Sequence, residues 1–378
     1  MLNKPPTILH IITGLSLGGA EMMLYKLLAE MPESEREKHQ VLSLTGSGYF
    51  TNKIHSLGVK ITHVNFRNIT NAISNFKRIF KLIKDQNVTI CQGWMYHGNL
   101  FASIVGLIFK NCSVFWNIRH SLDDASNEKL ALRIVLLFSK YFINRTEYVI
   151  YNSNVAKVEH KRYGFTSSES QTLVIPNGFD FDKFKSYRQS PGKLKSSLFT
   201  DDRKLVIGTL ARFHPMKQQT KFLNGILPLI EKNTALVLCM GGKDVDYDNI
   251  QLSSIVPKKL RNRVLLIGQV EDTVNFYNSL DIFVLPSAYG EGFPNVLGEA
   301  VACGVVCIST DVGDSKEIIM DKDRLVNPKE MNELVFLVDK YSSLSRHERD
   351  AIAEIDRKHV LNEYSIDIIC KRYLELYR

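Results

Sequence analysis

Short apolar runs alternate with helix-periodic stretches along most of this chain. In the first half, TILHII (7–12), HQVLSL (39–44), VKITHV (59–64), VTICQG (88–93), SVFWNI (113–118), EYVIYN (147–152) and LVIPNG (173–178) have the length and β-branched content of strands. KLVIGTL (204–210), ALVLCM (235–240), RVLLIG (263–268), DIFVLP (281–286) and VVCIST (305–310) continue the series. Amphipathic patterns over 20–31, 71–85 and 127–144 predict helices between strands. Strands separated by helices predict an α/β chain with parallel sheets covered on both faces. Such sheets bind ligands beyond the carboxyl ends of their strands.

A chain of 378 residues predicts two cores rather than one. The stretch IPNGFDFDKFKSYRQSPGK (175–193) combines Pro, Gly and charge after a strand, as a linker does. The expected division is an N-terminal doubly wound domain over 1–180 and a second over 181–363, facing each other across a cleft. The amphipathic end, YSIDIICKRYLELYR (364–378), is expected to pack back on the first domain. No apolar run reaches the roughly 20 residues that span a bilayer. MLNKPPTILHIITGL reads as a first strand rather than a signal peptide.

The formal net charge of +8 is uneven. Residues 1–200 hold 25 Lys/Arg against 14 Asp/Glu, and residues 201–378 hold 23 against 26. The basic half calls for an anionic membrane, an anionic substrate or nucleic acid as partner. Nucleic acid is the weakest of these, because neither aromatic interleaving nor a reading helix is evident. Six cysteines without a CxxC spacing predict buried, reduced thiols in a cytoplasmic protein and no zinc site.

Four segments can carry chemistry. In TGLSLGGAE, Gly18 and Gly19 let backbone approach a ligand at the start of a helix, where N–H groups are free. The pattern is neither GxGxxG nor a P-loop, and a plain strand–helix turn is the alternative. In GTLARFHPMKQQ, Arg212 and Lys217 lie on a loop leading into a helix, as a diphosphate requires, or are two solvated cations. In AYGEGFPNVLGEAVACG, Glu291 falls before a helix predicted from Pro294 to Cys303, and Glu299 falls inside it. In FWNIRHSLDD, Arg119 and His120 end a strand, placed to line the cleft, Arg119 as an acceptor-side candidate, with a structural role the alternative for a lone histidine. Trp94, Tyr96 and His97 of GWMYHGNL are acceptor-lining candidates, with core packing as the competing role.

Taken together, these segments resemble retaining glycosyltransferases of family 4, which have the GT-B fold of two Rossmann-like domains. EGFPNVLGEA resembles the family's two glutamates separated by seven residues, ARFHPMK its Arg/Lys clamp and GLSLGGAE its first-domain glycine loop. IPNGFD resembles its interdomain segment and DVGDSKEII its usual continuation. The resemblance implies that Arg212 and Lys217 hold the donor diphosphate, with the Asn295 and Val296 amides and with Gly18 and Gly19. It implies Glu291 on the sugar hydroxyls, Glu299 on the ribose, and backbone at Gly268 and Val270 on the base. His120 is implied beside the donor sugar. The implied reaction retains anomeric configuration and transfers sugar from a nucleotide-sugar, with UDP the expected carrier. The acceptor is a glycan or lipid-linked hydroxyl of bacterial surface polysaccharide synthesis. No cofactor or metal is expected, the two cations replacing a metal's charge; DVD at 244–246 lies in a charged, surface-like stretch.

One departure is Gln218, where the family usually has glycine after the clamp lysine. A sugar-nucleotide epimerase of the same architecture is the alternative activity. The helix 71–85 sets Ile73, Phe76, Phe80 and Ile83 against Lys77, Arg78, Lys81 and Lys84. That pattern suits either a peripheral membrane contact or an ordinary sheet-covering helix. KLALRIVLLFSKYFINR (129–145) is a second candidate, its apolar residues exceeding a single stripe.

Overall fold

The computed structural model describes residues 6–66, 71–122, 129–186 and 204–378. The chain divides into two compact units, Met1–Gly178 with Ile366–Arg378, and Phe179–Ser365. The end of the linker-like stretch, 187–193, lies outside the described residues.

The first unit holds β1 (Ile8–Ile12), β2 (His39–Ser43), β3 (Lys60–His63), β4 (Ile90–Trp94), β5 (Ser113–Ile118), β6 (Tyr148–Tyr151) and β7 (Thr172–Val174). They form one parallel sheet in the order β3-β2-β1-β4-β5-β6-β7. The second unit holds β8 (Leu205–Leu210), β9 (Leu236–Gly241), β10 (Val264–Leu266), β11 (Ile282–Leu285), β12 (Val306–Thr310) and β13 (Leu325–Val326). Their order is β10-β9-β8-β11-β12-β13, again parallel. In each sheet the order reverses at one place, between β1 and β4 and between β8 and β11. Loops leaving neighbouring strands there diverge to opposite faces, which opens a crevice at the carboxyl edge.

Among the described residues, the helices of eight residues or more are α1 (Gly19–Glu30), α2 (Ala72–Asp85), α3 (Met95–Ile108), α4 (Leu130–Phe142) and α5 (Asn154–Tyr163) in the first unit. Those of the second are α6 (Gln219–Lys232), α7 (Asn295–Ala302), α8 (Met331–Ser342) and α9 (Arg346–Tyr364). The last helix, α10 (Ile366–Leu376), returns to the first. Local chemistry fixes several ends. Ser153 Oγ accepts from Ala156 N at 2.9 Å to start α5, and Gly164 ends it at φ +103°. A reciprocal Ser345–Glu348 box starts α9.

The first sheet is covered by α2 to α5 on one face and by α1 and α10 on the other, giving two separate apolar cores. Helix α2 is a sheet-covering helix: Ile79 and Ile83 are buried, and Phe76 stacks on Phe101 of α3 with centroids 5.8 Å apart. From Phe76 to Ile83 its apolar face is therefore used in packing, whereas Ile73 is exposed, as are Lys77, Arg78, Lys81 and Lys84. No described helix is long and apolar enough to cross a membrane. The expected final helix begins two residues late, because Ser365 is extended (φ −62°, ψ 149°) and separates α9 from α10. In the second unit a buried pair anchors α9, with Arg324 donating to Asp356 at 2.6 and 2.9 Å.

A chain of buried rings lies under the first sheet. Trp94 Nε1 donates to His10 Nδ1 at 3.1 Å, which leaves His10 Nε2 to donate to His39 Nδ1 at 2.8 Å. Burial and the neighbouring His39 hold His10 well below the usual histidine range. Burial lowers both His39 and His160 to about 4. A lowered folded pKa means stability that is present above the unfolded value of 6.5 and lost as pH falls toward 4. Denaturant titrations are expected to show the first unit weakening over that window, by on the order of 3 kcal/mol for His39 alone. His39→Gln should make the pH slope shallower; an unchanged slope would show that His39 does not titrate there.

Candidate functional site

The reversal point of the second sheet collects the residues singled out there. The loop after β8 carries Arg212 to Lys217, and the loop after β11 carries Glu291. Lys217 Nζ and Glu291 Oε1 form an ion pair, with side chains only 15% and 11% exposed. The same carboxylate oxygen accepts from Ser287 Oγ at 2.7 Å. Ser287 is buried, and its carbonyl accepts from Thr310 Oγ1 at 2.6 Å. Glu291 is thus oriented by a serine that is itself tied to β12. The sequence reading missed Ser287; its only signal is its place two residues after an apolar strand.

Glycine lets this loop be braced closely. At Gly313 (φ +57°) a Cβ would lie 2.3 Å from Gly292 O and 2.5 Å from Glu291 O. The next amide, Asp314 N, donates to Gly292 O at 2.8 Å. On the other side Ala288 N donates to Met216 O at 2.7 Å, joining the Glu291 loop to the Lys217 loop. The Arg212 side chain is exposed, and among the described residues no carboxylate pairs with it. One cation is therefore held and the other open. His214 Nδ1 accepts from Met216 N at 3.3 Å, and burial, then the charges of Arg212 and Lys217, lower its pKa.

Helix α7 follows at once. Pro294 is its N-cap rather than its first turn, and no side chain caps it. The Asn295 and Val296 amides stand at an uncapped helix start, where a partial positive charge favours an anion. Glu299 lies one turn on, inside α7 and buried, with Tyr277 Oη donating to its Oε2 at 3.2 Å. Burial, then the Glu299 charge, push the Tyr277 phenol up. Gly268 (φ +68°) accepts at its carbonyl from Gly242 N at 2.7 Å, and Val270 packs where a Cβ on Gly241 would stand, 2.7 Å from its Cγ2. The loops after β8, β9 and β10 so meet backbone to backbone: a Cβ on Gly242 would lie 2.0 Å from Ala211 O.

In the first unit the reversal point is flanked by Gly18 and Gly19 after β1 and by the start of α3 after β4. Gly18 is the extended N-cap of α1, and a Cβ there would meet Glu21 Oε2 at 2.4 Å. Glu21, its carboxyl raised by burial, therefore shares the helix start expected to take phosphate. Among the acceptor-side candidates, His97 is exposed on the first turn of α3; His120, expected beside the donor sugar, is half-buried after β5. Trp94 and Tyr96 are core residues, not lining: Trp94 is wholly buried on His10, and the Tyr96 hydroxyl bonds His160 Nε2 at 2.8 Å. Arg119 is likewise committed inward. Its Nε donates to Asn177 Oδ1 at 3.1 Å and its Nη1 to Tyr373 Oη at 2.9 Å. Asn177 comes from IPNG, so that segment has a specific anchoring task in the first unit.

Residues 17–183 match the family model described as Glycosyltransferase Family 4, and residues 204–341 match the one described as Glycosyl transferases group 1. The chain is 24% identical over 316 residues to the putative glycosyltransferase EpsF of Bacillus subtilis, covering 82% of this chain and 80% of that one. It is 25% identical to the N,N'-diacetylbacillosaminyl-diphospho-undecaprenol alpha-1,3-N-acetylgalactosaminyltransferase of Campylobacter jejuni, over 96% of this chain and 97% of that one. Among solved structures it is similar to HepE of Anabaena in complex with UDP, with a TM-score of 0.83 at 18% identity, over 98% and 99% of the two chains. That likeness shows the GT-B fold.

The residue after Lys217 explains the departure seen in the sequence. Gln218 adopts φ +48°, ψ 30°, a left-handed conformation that glycine takes freely. The side chain costs about 1–2 kcal/mol there, against about 0.5–1 kcal/mol that glycine loses in chain entropy. Gln218→Gly is expected to raise the urea midpoint slightly, whereas Gln218→Val, β-branched, should lower it clearly. A fall with glycine as large as with valine would show that the glutamine side chain contributes more than its backbone costs.

Proposed function

The chain belongs to glycosyltransferase family 4, and from that premise we propose that it moves a sugar from a UDP-sugar to a hydroxyl of a glycan or lipid-linked acceptor, with retained anomeric configuration. The observation that carries the reading is the Lys217–Glu291 pair beside the uncapped start of α7, with Arg212 open next to it. Cations and oriented amides around one point suit a diphosphate leaving group, and a carboxylate among them suits sugar hydroxyls. In this reading Arg212, Lys217 and the Asn295 and Val296 amides hold the diphosphate. Glu291 takes donor sugar hydroxyls, Glu299 the ribose, and the Gly268–Val270 backbone the base. The positive charge supplied by two side chains and a helix start serves where other enzymes use a metal. On the first unit, His97 after β4 is assigned to the acceptor, His120 after β5 to the donor sugar and the Gly18–Gly19 turn after β1 to phosphate.

The chemistry follows from the charges. The bond between the anomeric carbon and the β-phosphate oxygen breaks as the acceptor oxygen bonds to the same face of that carbon. The acceptor's proton passes to the departing phosphate oxygen, so no protein nucleophile is required. Arg212 and Lys217 stabilise the charge that grows on the diphosphate. Lys217 is already neutralised by Glu291, so donor binding must redistribute that pair. The relatives are named as transferases, which favours transfer over epimerisation.

Transfer is measured with UDP-sugars by UDP release and by proton NMR of the new anomeric signal. Lys217→Ala should lower the rate about 10²–10³-fold and weaken UDP. Glu291→Gln should also lose most transfer, yet bind UDP several-fold more tightly by calorimetry, about 1 kcal/mol, because Lys217 is released. Weaker UDP binding in Glu291→Gln would overturn the coupling, and an inverted product anomer would overturn retention. Product from donor alone would point to the epimerase.

A further inference from the structure

Helix α4 carries an apolar face that nothing among the described residues of its own unit covers. Leu130, Ile134, Leu137, Phe138 and Tyr141 are 70, 45, 52, 55 and 79% exposed, at the spacing i, i+4, i+7, i+8, i+11. That spacing is one stripe of a helix. The opposite side is used in the ordinary way, with Leu136 and Ser139 buried and Leu132 and Val135 packed on the core. Five large exposed side chains on thirteen residues form a contiguous patch, not scattered singles, and such patches mark interaction sites.

The charge around the stripe identifies what covers it. From Lys129 to Arg145 the sequence has Lys129, Arg133, Lys140 and Arg145 and no acid. Lys140 lies over the Tyr163 ring at 3.8 Å, but Lys129, Arg133 and Arg145 are exposed. At the foot of α4, Arg145 and Lys110 line a pocket of about 450 Å³ with Ser103, Gly106, Leu107 and Cys112. Among the described residues no carboxylate pairs with Lys110, Arg133 or Arg145. On the same face of the sheet, α2 turns Lys77, Arg78, Lys81 and Lys84 outward. A second copy of the chain is a poor occupant, because two-fold pairing would set this acid-free helix against itself and oppose like charges. An anionic surface that also accepts apolar side chains meets both requirements.

We propose that the outer face of α4 docks on an anionic lipid surface, with Leu137, Phe138 and Tyr141 entering the interface and Arg133, Arg145 and Lys110 facing lipid phosphates. This places the membrane contact on α4 and not on the apolar face of α2. It does not depend on the acceptor being a lipid, since the contact is read without turnover.

The test is co-sedimentation of the full chain with phosphatidylcholine vesicles, with and without phosphatidylglycerol. The wild type should favour the anionic vesicles about tenfold or more, less so at high salt. Leu137→Ser with Phe138→Ser should cut that binding by about tenfold, and Arg133→Gln with Arg145→Gln should remove the preference for anionic lipid. Ile250→Ser with Phe336→Ser, exposed apolar residues of the second unit, should bind like wild type. An unchanged melting temperature and UDP-induced shift verify folding of each variant. The proposal is overturned if the wild type stays in the supernatant, if the α4 variants bind as it does, or if the chain is a dimer that the Leu137/Phe138 variant splits.

Discussion

Every described strand pairs in parallel, and a parallel pair can be joined only by a crossover long enough to return over the sheet. That constraint governs the rest. Helices must cover both faces, so strands such as ILHII, VCIST and LVLCMG are buried along their whole length. Loops that leave the carboxyl ends gather at one edge, and where strand order reverses they part. The chain puts its glycines where these loops press together, at Gly242 against Ala211 and at Gly313 against Glu291 and Gly292. Close backbone approach, rather than side-chain packing, sets the shape of the second unit's site.

The electrostatics of that site rest on one compromise. A lysine left alone in a half-closed pocket would suit phosphate but would pay a desolvation cost without ligand. Glu291 offsets the charge, and Ser287 and Thr310 fix the carboxylate so that the pair has one geometry. Arg212 needs no such partner because it reaches water. The two cations of ARFHPMK thus look alike in sequence and differ in state: one is preset by its partner, the other is exposed.

Much of this was legible in the chain. Apolar runs located the strands because buried parallel strands are apolar on both faces, although Leu325–Val326 is too short to leave a pattern. Gly, Pro and charge placed Arg212, Lys217, Glu291 and Glu299 on the loops and helix where they stand, and the missing glycine at Gln218 led to a left-handed residue. What the sequence hid was tertiary. Trp94 and Tyr96 look the same whether they line a pocket or fill a core, and only His10 and His160 as hydrogen-bond partners decide it. Ser287 carries no local signal, since its task depends on a carboxylate four residues on. Conversely, α2 and α4 both read as amphipathic, and only packing separates the helix that buries most of its apolar face from the one that shows it.

The last helix adds a matter of timing. Ile366, Ile369, Cys370, Tyr373 and Tyr377 belong to a core whose other members come from the first hundred and seventy-five residues. Tyr373 and Tyr377 also supply buried hydroxyls to Asn117 and Gln92. A ribosome making this chain releases those residues after all of the second unit. The portion synthesised first is therefore the portion completed last. Until then one flank of its sheet, with His10 and Gln92 beneath, is open to water and to chaperones, and a nascent chain stopped short of Ile366 is a finished second unit attached to an unfinished first.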